Sequence, residues 1–387
     1  MAAAALRTRW SVPPGRAPYA EVDLGPSRVA LLKDGGQAFP AMLAAIRGAT
    51  QLICLETYIL RDDSTGVRFI EALMERARAG VEALLMYDAW GSDVSPETLR
   101  ELELSGVKVL AFRPLRFAGS LGRFLVRGFR RNHRKSLTVD GVVAFTGGLN
   151  LCDDYAAKED GGRGWRDTHV RIVGAGADAV EASFLAIWRA HRGASVRRPP
   201  RQAASCEKVR ILTNDFQLHR KEIRRAYIDA FNRAKERIFV TNAYFLPPRK
   251  MMKALQRAAR RGVRVAVVLA GATDVRLVLH AARGLYPKLL ASGIEVYEWR
   301  GRILHAKTAV VDGNWATVGS ANLDALSLRL NLEINAVFRD GSFGAAVERL
   351  FLDDLSHCEQ VTNDTVRSYS WVQRAISWVA YQARHWL

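Results

Sequence analysis

Cysteine is scarce in this chain of 387 residues, which contains four. Cys54, Cys152, Cys206 and Cys358 form no C-x-x-C pair, and the eight histidines show no metal-binding spacing. Scattered thiols of this kind are typical of a reducing, cytosolic compartment. We therefore expect no disulfide framework, no metal and no other cofactor.

Long apolar runs are also missing. A membrane-spanning helix needs about 20 predominantly apolar residues, and no uninterrupted run in the chain approaches that length. Residues 1–6 are rich in alanine, but Arg7, Arg9 and Pro13 follow closely, so they do not resemble a secretory signal. If the protein meets a membrane, we expect it to lie on the membrane surface.

Acidic residues are too few to balance the basic ones. The chain has 57 Lys and Arg against 39 Asp and Glu, a net charge of +18. Such a surplus favours polyanionic partners, which include nucleic acids, anionic bilayers and phosphorylated substrates. Charge alone does not choose among them.

What the chain does contain is one pattern that occurs twice. The pattern is H-x-K-x-x-x-x-D with an asparagine seventeen positions after the histidine (150 − 133 and 322 − 305). Its members are His133, Lys135, Asp140 and Asn150 in the first copy, and His305, Lys307, Asp312 and Asn322 in the second. From the content of His, Lys and Asp, about 0.01 chance matches to the H-x-K-x-x-x-x-D pattern are expected. Two matches are therefore not accidental.

Each copy predicts a β-hairpin, because Asp-Gly at positions 140–141 and 312–313 separates two β-prone runs. Alternation along a strand places the His and Lys on one face and the Asp on the other, where it is expected to hold the turn. Imidazole and ammonium side by side suit a phosphate. A lone copy could equally be an ordinary hairpin with an exposed basic strand. Duplication favours a catalytic pair, with one His as nucleophile and one as acid.

The surrounding sequence also repeats, since residues 72–81 parallel residues 254–263 and residues 104–107 parallel residues 291–294. Apolar spacing predicts helices near 36–48, 67–80 and 95–106, each followed by a strand, so the fold class is α/β. We predict two similar α/β domains that share one active-site cleft. The segments are a mobile basic start at 1–20, domain 1 at 21–194, a linker at 195–205, domain 2 at 206–360, and an amphipathic end at 361–387.

Two segments are candidates for contact with a membrane. The first half carries about fifteen extra residues, within 113–131, where Arg116, Arg123 and other arginines alternate with leucine and phenylalanine. Trp371, Trp378 and Trp386 lie near arginines at the chain end. Both patterns suit anionic headgroups and the bilayer interface. The alternatives are a loop and a helix that pack their apolar side chains on the protein.

Four strand-end residues are weaker candidates for headgroup contacts. They are Glu56 and Tyr58 in the first half and their counterparts Asn242 and Tyr244 in the second. Tyrosines in such positions also occur as partly buried packing residues.

The duplicated pattern resembles the signature of the phospholipase D superfamily. Residues 132–135, 146–150, 165–170 and 319–335 resemble bacterial cardiolipin synthases more closely, in a short form without spanning helices. The resemblance implies two phospholipase D-like α/β sandwich domains. It also implies that Asp167 orients His133 and that Glu333 orients His305, while Lys135, Lys307, Asn150 and Asn322 hold phosphoryl oxygens.

The same resemblance implies an activity. One phosphatidylglycerol donates its phosphatidyl group to a second through a covalent phosphatidyl-histidine, and glycerol is released. It further implies a peripheral location on the cytoplasmic face of a bacterial inner membrane, with anionic phospholipid and no specific nucleic acid as partner. Phospholipid hydrolysis, a superfamily nuclease and a binding module with a dead site are the alternatives.

Overall fold

The structure is a computed structural model that describes residues 18–113, 130–193, 196, 206–215 and 220–384. Contacts divide the chain into two compact units, Met1–Ile211 and Leu212–Leu387. Arg116, Arg123 and Trp386 lie outside the described residues, as do nearly all of the predicted linker and of the predicted mobile start. The predicted domain bounds therefore stay predictions.

The first sheet and its helices come from the amino-terminal part of the chain. Its strands are β1 Ala20–Asp23, β2 Ser27–Lys33, β3 Leu52–Thr57, β4 Glu82–Asp88, β5 Lys108–Phe112, β6 Ser136–Val139, β7 Val143–Gly147 and β8 Thr168–Gly174. Its helices are α1 Asp34–Arg47, α2 Ser64–Arg78, α3 Pro96–Leu104 and α4 Ala175–Arg192, with a 3₁₀ turn at Lys158–Asp160.

The second sheet and its helices follow. Its strands are β9 Val209–Asp215, β10 Arg220–Lys221, β11 Arg237–Asn242, β12 Arg264–Ala270, β13 Glu295–Trp299, β14 Lys307–Val311, β15 Trp315–Gly319, β16 Glu333–Arg339 and β17 Cys358–Val361. Its helices are α5 Glu222–Arg233, α6 Arg249–Arg260, α7 Arg276–Arg283, α8 Tyr286–Leu290, α9 Ala325–Arg329, α10 Gly341–Leu355, α11 Asn363–Ser368 and α12 Trp371–Gln382.

Seven strands follow the same order in both sheets. The first sheet runs β1-β2-β8-β7-β6-β3-β4-β5, and the second runs β10-β9-β16-β15-β14-β11-β12-β13-β17. In each, the motif strand pairs antiparallel with its hairpin partner and with the central strand β3 or β11. The predicted α/β class is therefore confirmed, and both motifs lie in the middle of a sheet.

The helix boundaries follow from local chemistry. Ser95 caps α3 by accepting the Thr98 N–H, with Pro96 in the first turn, as the sequence predicts. After α2, Gly80 adopts a left-handed φ of 87°, which ends the helix before the strand β4. Among the described residues, no helix has the length and apolar character that crossing a bilayer requires.

Candidate active site

Both motif aspartates close the hairpin turns. Asp140 and Asp312 each adopt a φ of 50°, a left-handed conformation that aspartate tolerates better than most residues. The Asp140 carboxylate accepts the backbone N–H groups of residues 50, 51 and 52 at 2.8 to 3.3 Å. The Asp312 carboxylate accepts those of residues 235, 236 and 237 at 2.9 Å.

The catalytic role that Asp140 and Asp312 share with the other motif residues stays a prediction. Each Asp lies seven positions from its His along extended chain, a span of about 20 Å. The backbone donors also hold the Asp312 carboxylate ionised, since they lower its pKa although burial opposes them. Both aspartates therefore hold the turn, as the strand alternation predicts.

His133 and Lys135 lie beside Tyr58 in the first unit. The rings of Tyr58 and His133 are 4.8 Å apart in an edge-to-face contact. The Lys135 ammonium is 5.2 Å from the centre of the Tyr58 ring and donates a hydrogen bond of 2.7 Å to the His133 carbonyl. The structure thus brings one predicted headgroup residue, Tyr58, to the His of the first motif.

Buried carboxylates hold the segment that carries His133. Asp88 is fully buried and binds the Arg131 guanidinium at 2.6 Å and the Asn132 N–H at 2.8 Å. Glu56 accepts the Ser136 hydroxyl at 2.9 Å and the Asn132 amide at 3.2 Å. Glu56 is only 1 % exposed and these bonds position the motif, while its predicted headgroup contact stays a prediction.

His305 and Lys307 are in direct contact in the second unit. The Lys307 Nζ lies 2.8 Å from the His305 Nδ1 and also bonds to the His305 carbonyl. An ammonium has only donors, so Nδ1 accepts and the proton of the neutral imidazole is on Nε2. In this arrangement the Nε2 of His305 has no free lone pair with which to attack phosphorus.

Tyr244 and Asp274 complete the surroundings of His305. The rings of Tyr244 and His305 are 6.3 Å apart, and the Tyr244 hydroxyl bonds to the Asp274 carboxylate at 2.5 Å. Burial would raise the pKa of Asp274, but the electrostatic attraction of His305 in its protonated form and hydrogen bonds from Tyr244 and Thr273 lower it below its usual value. Asp274, which the sequence analysis missed, is therefore ionised and faces His305.

The asparagines of the two motifs differ in their contacts. The Asn150 side chain accepts the Ile59 N–H at 3.1 Å and donates to the Tyr155 hydroxyl at 2.8 Å. The Asn322 carbonyl oxygen is buried and has no hydrogen-bond partner among the described residues. Asn242 accepts the Leu323 N–H at 3.1 Å. Asn242 is fully buried and positions the chain, while its predicted headgroup contact stays a prediction.

Asp167 and Glu333 are both fully buried near their motifs. The Asp167 carboxylate accepts the Thr168 N–H at 2.7 Å, and a Cβ added to Gly148 would lie 2.1 Å from it. A side chain at position 148 would therefore displace the Asp167 carboxylate. Glu333 accepts the Ser320 hydroxyl at 2.5 Å. The expected pairing of these two carboxylates with the histidines stays a prediction.

Two further ionisable residues near the motifs were missed by sequence reasoning. Asp324 caps α9 through the Ser327 N–H at 2.8 Å, and burial together with the charge of Glu333 raises its pKa to about 7. His169 lies near Lys135 and Asp167, and burial lowers its pKa to about 4. Its position after the Asp167-Thr168 pair was the available signal.

His169 makes the stability of the folded protein sensitive to acid. Its pKa in the folded protein, about 4, lies below the ordinary 6.5, so the unfolded chain binds the proton more readily. The stabilisation from its neutral form is complete above pH 6.5 and is lost as the pH falls toward 4. Complete loss of this stabilisation lowers the free energy of unfolding by about 3 kcal/mol.

We therefore expect His169→Asn to flatten the dependence of unfolding free energy on pH between 6.5 and 4. Urea titrations at pH 7 and pH 4.5 measure it, with the exposed His357→Asn as the matched control. A His169→Asn protein that loses as much stability on acidification as the wild type would contradict a neutral, buried His169.

The chain is similar to a known protein family, to individual proteins and to solved structures. The family described as cardiolipin synthase, phospholipase D-like domain, matches residues 227–355. Cardiolipin synthase B of Escherichia coli (strain K12) is 34 % identical over 361 residues, covering 89 % of this chain and 84 % of that protein. The cardiolipin synthase of Halalkalibacterium halodurans is 32 % identical over 355 residues, covering 89 % and 69 %.

Solved structures share the fold at low sequence identity. The phosphatidylserine synthase of Haemophilus influenzae Rd KW20 matches with a TM-score of 0.72 and 14 % identity, over 93 % of this chain and 95 % of that one. At this identity the likeness concerns the fold alone, and it agrees with two phospholipase D-like α/β domains.

Proposed function

The chain belongs to the cardiolipin synthase family of phospholipase D-like phosphatidyltransferases, and we propose that it condenses two phosphatidylglycerol molecules into cardiolipin and glycerol. The contact between Lys307 and His305 is the observation that supports the choice of nucleophile and general acid in this reaction. It leaves the Nε2 of His305 protonated, which favours His133 as the nucleophile. The proposal requires that both histidines act on the same phosphorus.

In the first step the His133 Nε2 attacks the phosphorus of phosphatidylglycerol. A nitrogen–phosphorus bond forms, the bond from phosphorus to the glycerol oxygen breaks, and His305 gives that oxygen a proton. An entering phosphoryl oxygen competes for the Lys307 ammonium and so releases the Nδ1 of His305. The nearby ionised Asp274 then favours the charged imidazolium that a general acid must be.

In the second step the phosphatidyl group leaves His133. The terminal hydroxyl of a second phosphatidylglycerol attacks the phosphorus while His305 takes its proton, and the nitrogen–phosphorus bond breaks. Lys135 and Lys307 stabilise the negative charge that develops on the phosphoryl oxygens. The resemblance that gives the two lysines this role gives it to Asn322 as well, and the Asn322 side-chain N–H₂ group is the part that can donate to a phosphoryl oxygen.

Phosphatidylglycerol is supplied by a membrane, so the enzyme acts at a bilayer surface. The net charge of +18 suits the anionic cytoplasmic leaflet of a bacterial inner membrane. We infer peripheral attachment there.

Incubation of the purified protein with phosphatidylglycerol vesicles tests this function. We expect cardiolipin and free glycerol in equal amounts by mass spectrometry, with none from a His133→Ala/His305→Ala protein of unchanged melting temperature. Phosphatidic acid alone would show that water is the acceptor and would refute the synthase assignment. Cleavage of an oligonucleotide without lipid turnover would replace it with a nuclease.

A further inference from the structure

The second unit contains a cavity of about 550 Å³ whose wall includes none of the motif residues. Seven cationic side chains line it and no aspartate or glutamate does. They are Lys221, Arg224, Arg249, Lys253, Lys288, Arg329 and Arg384, and we call this space the basic cavity. Like charges around one space repel each other, so a bound anion would stabilise it.

The cations of the basic cavity are not neutralised within the described part of the chain. No described carboxylate forms an ion pair with any of the seven. Arg384 lies instead over the ring of Tyr381, 4.1 Å from its centre. Within the described part of the chain these cations thus leave a positive charge that an external anion can balance.

Helix α6 adds to the positive field. It begins with Arg249 and has no acidic residue in its first turn and no side-chain cap at Pro248. The amino-terminal end of a helix already carries a partial positive charge, and proteins usually place acidic residues there. The reversed arrangement is favourable when an anion binds at that end.

Helix α12 borders the basic cavity through Tyr381 and Gln382 and turns its apolar side away from the protein. Only Ser377 and Ala380 are buried in this helix. Trp371 is 74 % exposed and Trp378 is 63 % exposed, and Val372, Ile376 and Val379 are exposed as well. We call these five side chains the apolar face of α12.

The inward side of α12 is fixed by a close contact. A Cβ added to Gly284, which ends α7, would lie 2.4 Å from the Ser377 carbonyl oxygen and 2.9 Å from the Tyr381 Cβ. The two helices pack against each other, and α7 also exposes Leu277. A helix on a water-soluble surface normally buries its apolar side, so this orientation indicates that something other than water covers the apolar face.

We propose that the basic cavity and the apolar face of α12 form one docking surface for an anionic bilayer. The cavity takes the phosphate of a lipid headgroup, and the tryptophans enter the boundary between headgroups and acyl chains. Tryptophan beside cations fits this partner, because both recur together at membrane interfaces. This proposal rests on the proposed function, since the proposed substrate, phosphatidylglycerol, is itself an anionic lipid. Vesicle binding nevertheless tests the docking surface without any measurement of enzyme activity.

The docking surface also adjoins the site of the second unit along the chain. Tyr244 is followed by Leu246, Pro247 and Pro248, which line the basic cavity, and Asn322 is followed by Ala325, which also lines it. A bilayer held there presents its headgroups to the same edge of the sheet that carries these two site residues.

Vesicle flotation with the full chain tests the proposal. A His305→Ala background keeps phosphatidylglycerol from being consumed. Arg224→Gln/Lys253→Gln removes two cavity cations, and Arg225→Gln/Arg260→Gln removes two exposed cations from the same helices outside the cavity. Trp371→Ala/Trp378→Ala trims the apolar face, and Leu104→Ala/Leu352→Ala trims two exposed leucines elsewhere.

We expect the cavity variant to bind vesicles containing phosphatidylglycerol about tenfold more weakly. The tryptophan variant should bind vesicles about tenfold more weakly, whether or not the vesicles contain phosphatidylglycerol. Both control variants should stay within about twofold of the parent, because surface substitutions away from the bilayer contact change little.

Other results would overturn the proposal. An equal loss of vesicle binding in the cavity variant and its control would mean that binding depends only on the overall charge of the protein. Saturable binding of inorganic phosphate in the cavity, with unchanged vesicle binding by the cavity variant, would assign the cavity to a soluble phosphate. A change in self-association without a change in vesicle binding would assign the apolar face to a second copy. Intact docking without cardiolipin formation by the wild type would refute the proposed function instead.

Discussion

His133→Ala is expected to abolish formation of the phosphatidyl-enzyme from every donor, whereas His305→Ala should abolish this first step only where the leaving group needs a proton. The nucleophile is required for any bond to form, so its loss costs about 10⁴-fold or more. Loss of a general acid costs about 10²- to 10⁴-fold. Phosphatidyl-p-nitrophenol separates the two roles, because p-nitrophenolate leaves without protonation.

With that donor, His305→Ala should release one p-nitrophenol per enzyme in a burst and gain the mass of a phosphatidyl group. His133→Ala should do neither. The exposed His357→Ala serves as the control that keeps both activities. A burst from His133→Ala and none from His305→Ala would exchange the two roles and contradict the interpretation of the Lys307 contact.

Asp88→Ala is expected to destabilise the protein by about 3 to 5 kcal/mol. Asp88 is fully buried, and its partner Arg131 has a side chain that is 8 % exposed. Removal of the carboxylate takes the close anionic partner from a buried cation and the acceptor from the Asn132 N–H. Urea unfolding measures the loss. Because residues 131–132 lead directly into His133, activity should fall in the same variant.

A second variant measures how much of this loss comes from the buried charge of Arg131. Asp88→Ala/Arg131→Met removes both partners and should recover part of the stability that Asp88→Ala loses. The exposed pair Asp364 and Arg367, at 3.2 Å, is the matched control. Asp364→Ala should change the unfolding free energy by about 0.5 kcal/mol or less. A loss of that small size in Asp88→Ala would show that the Arg131 charge reaches water.

Features of short range along the chain were predictable. The Asp-Gly turn and the alternation of strand residues placed His and Lys on one face and Asp at the turn, because hairpin geometry depends on neighbours within a few positions. The helices that begin near Ser95 and end near Gly80 follow from single capping residues in the same way.

The partners of Glu56 and Asn242 could not be predicted by local reasoning. Both belong to strands in the middle of a sheet, and their position near the strand end suggested a headgroup contact, which stays a prediction. In the structure their polar atoms bond to Ser136, Asn132 and Leu323, because a buried polar group must find a partner.

The sequence by itself determined the α/β class, the two hairpins and the identity of the paired histidines and lysines, since these depend on local spacing and on a pattern that occurs twice. Only the tertiary structure decided that Asp274 faces His305, that Asp88 holds the segment before His133, and that α12 turns its tryptophans outward. Each of these depends on residues that are distant in sequence and meet only when strands pair and helices pack.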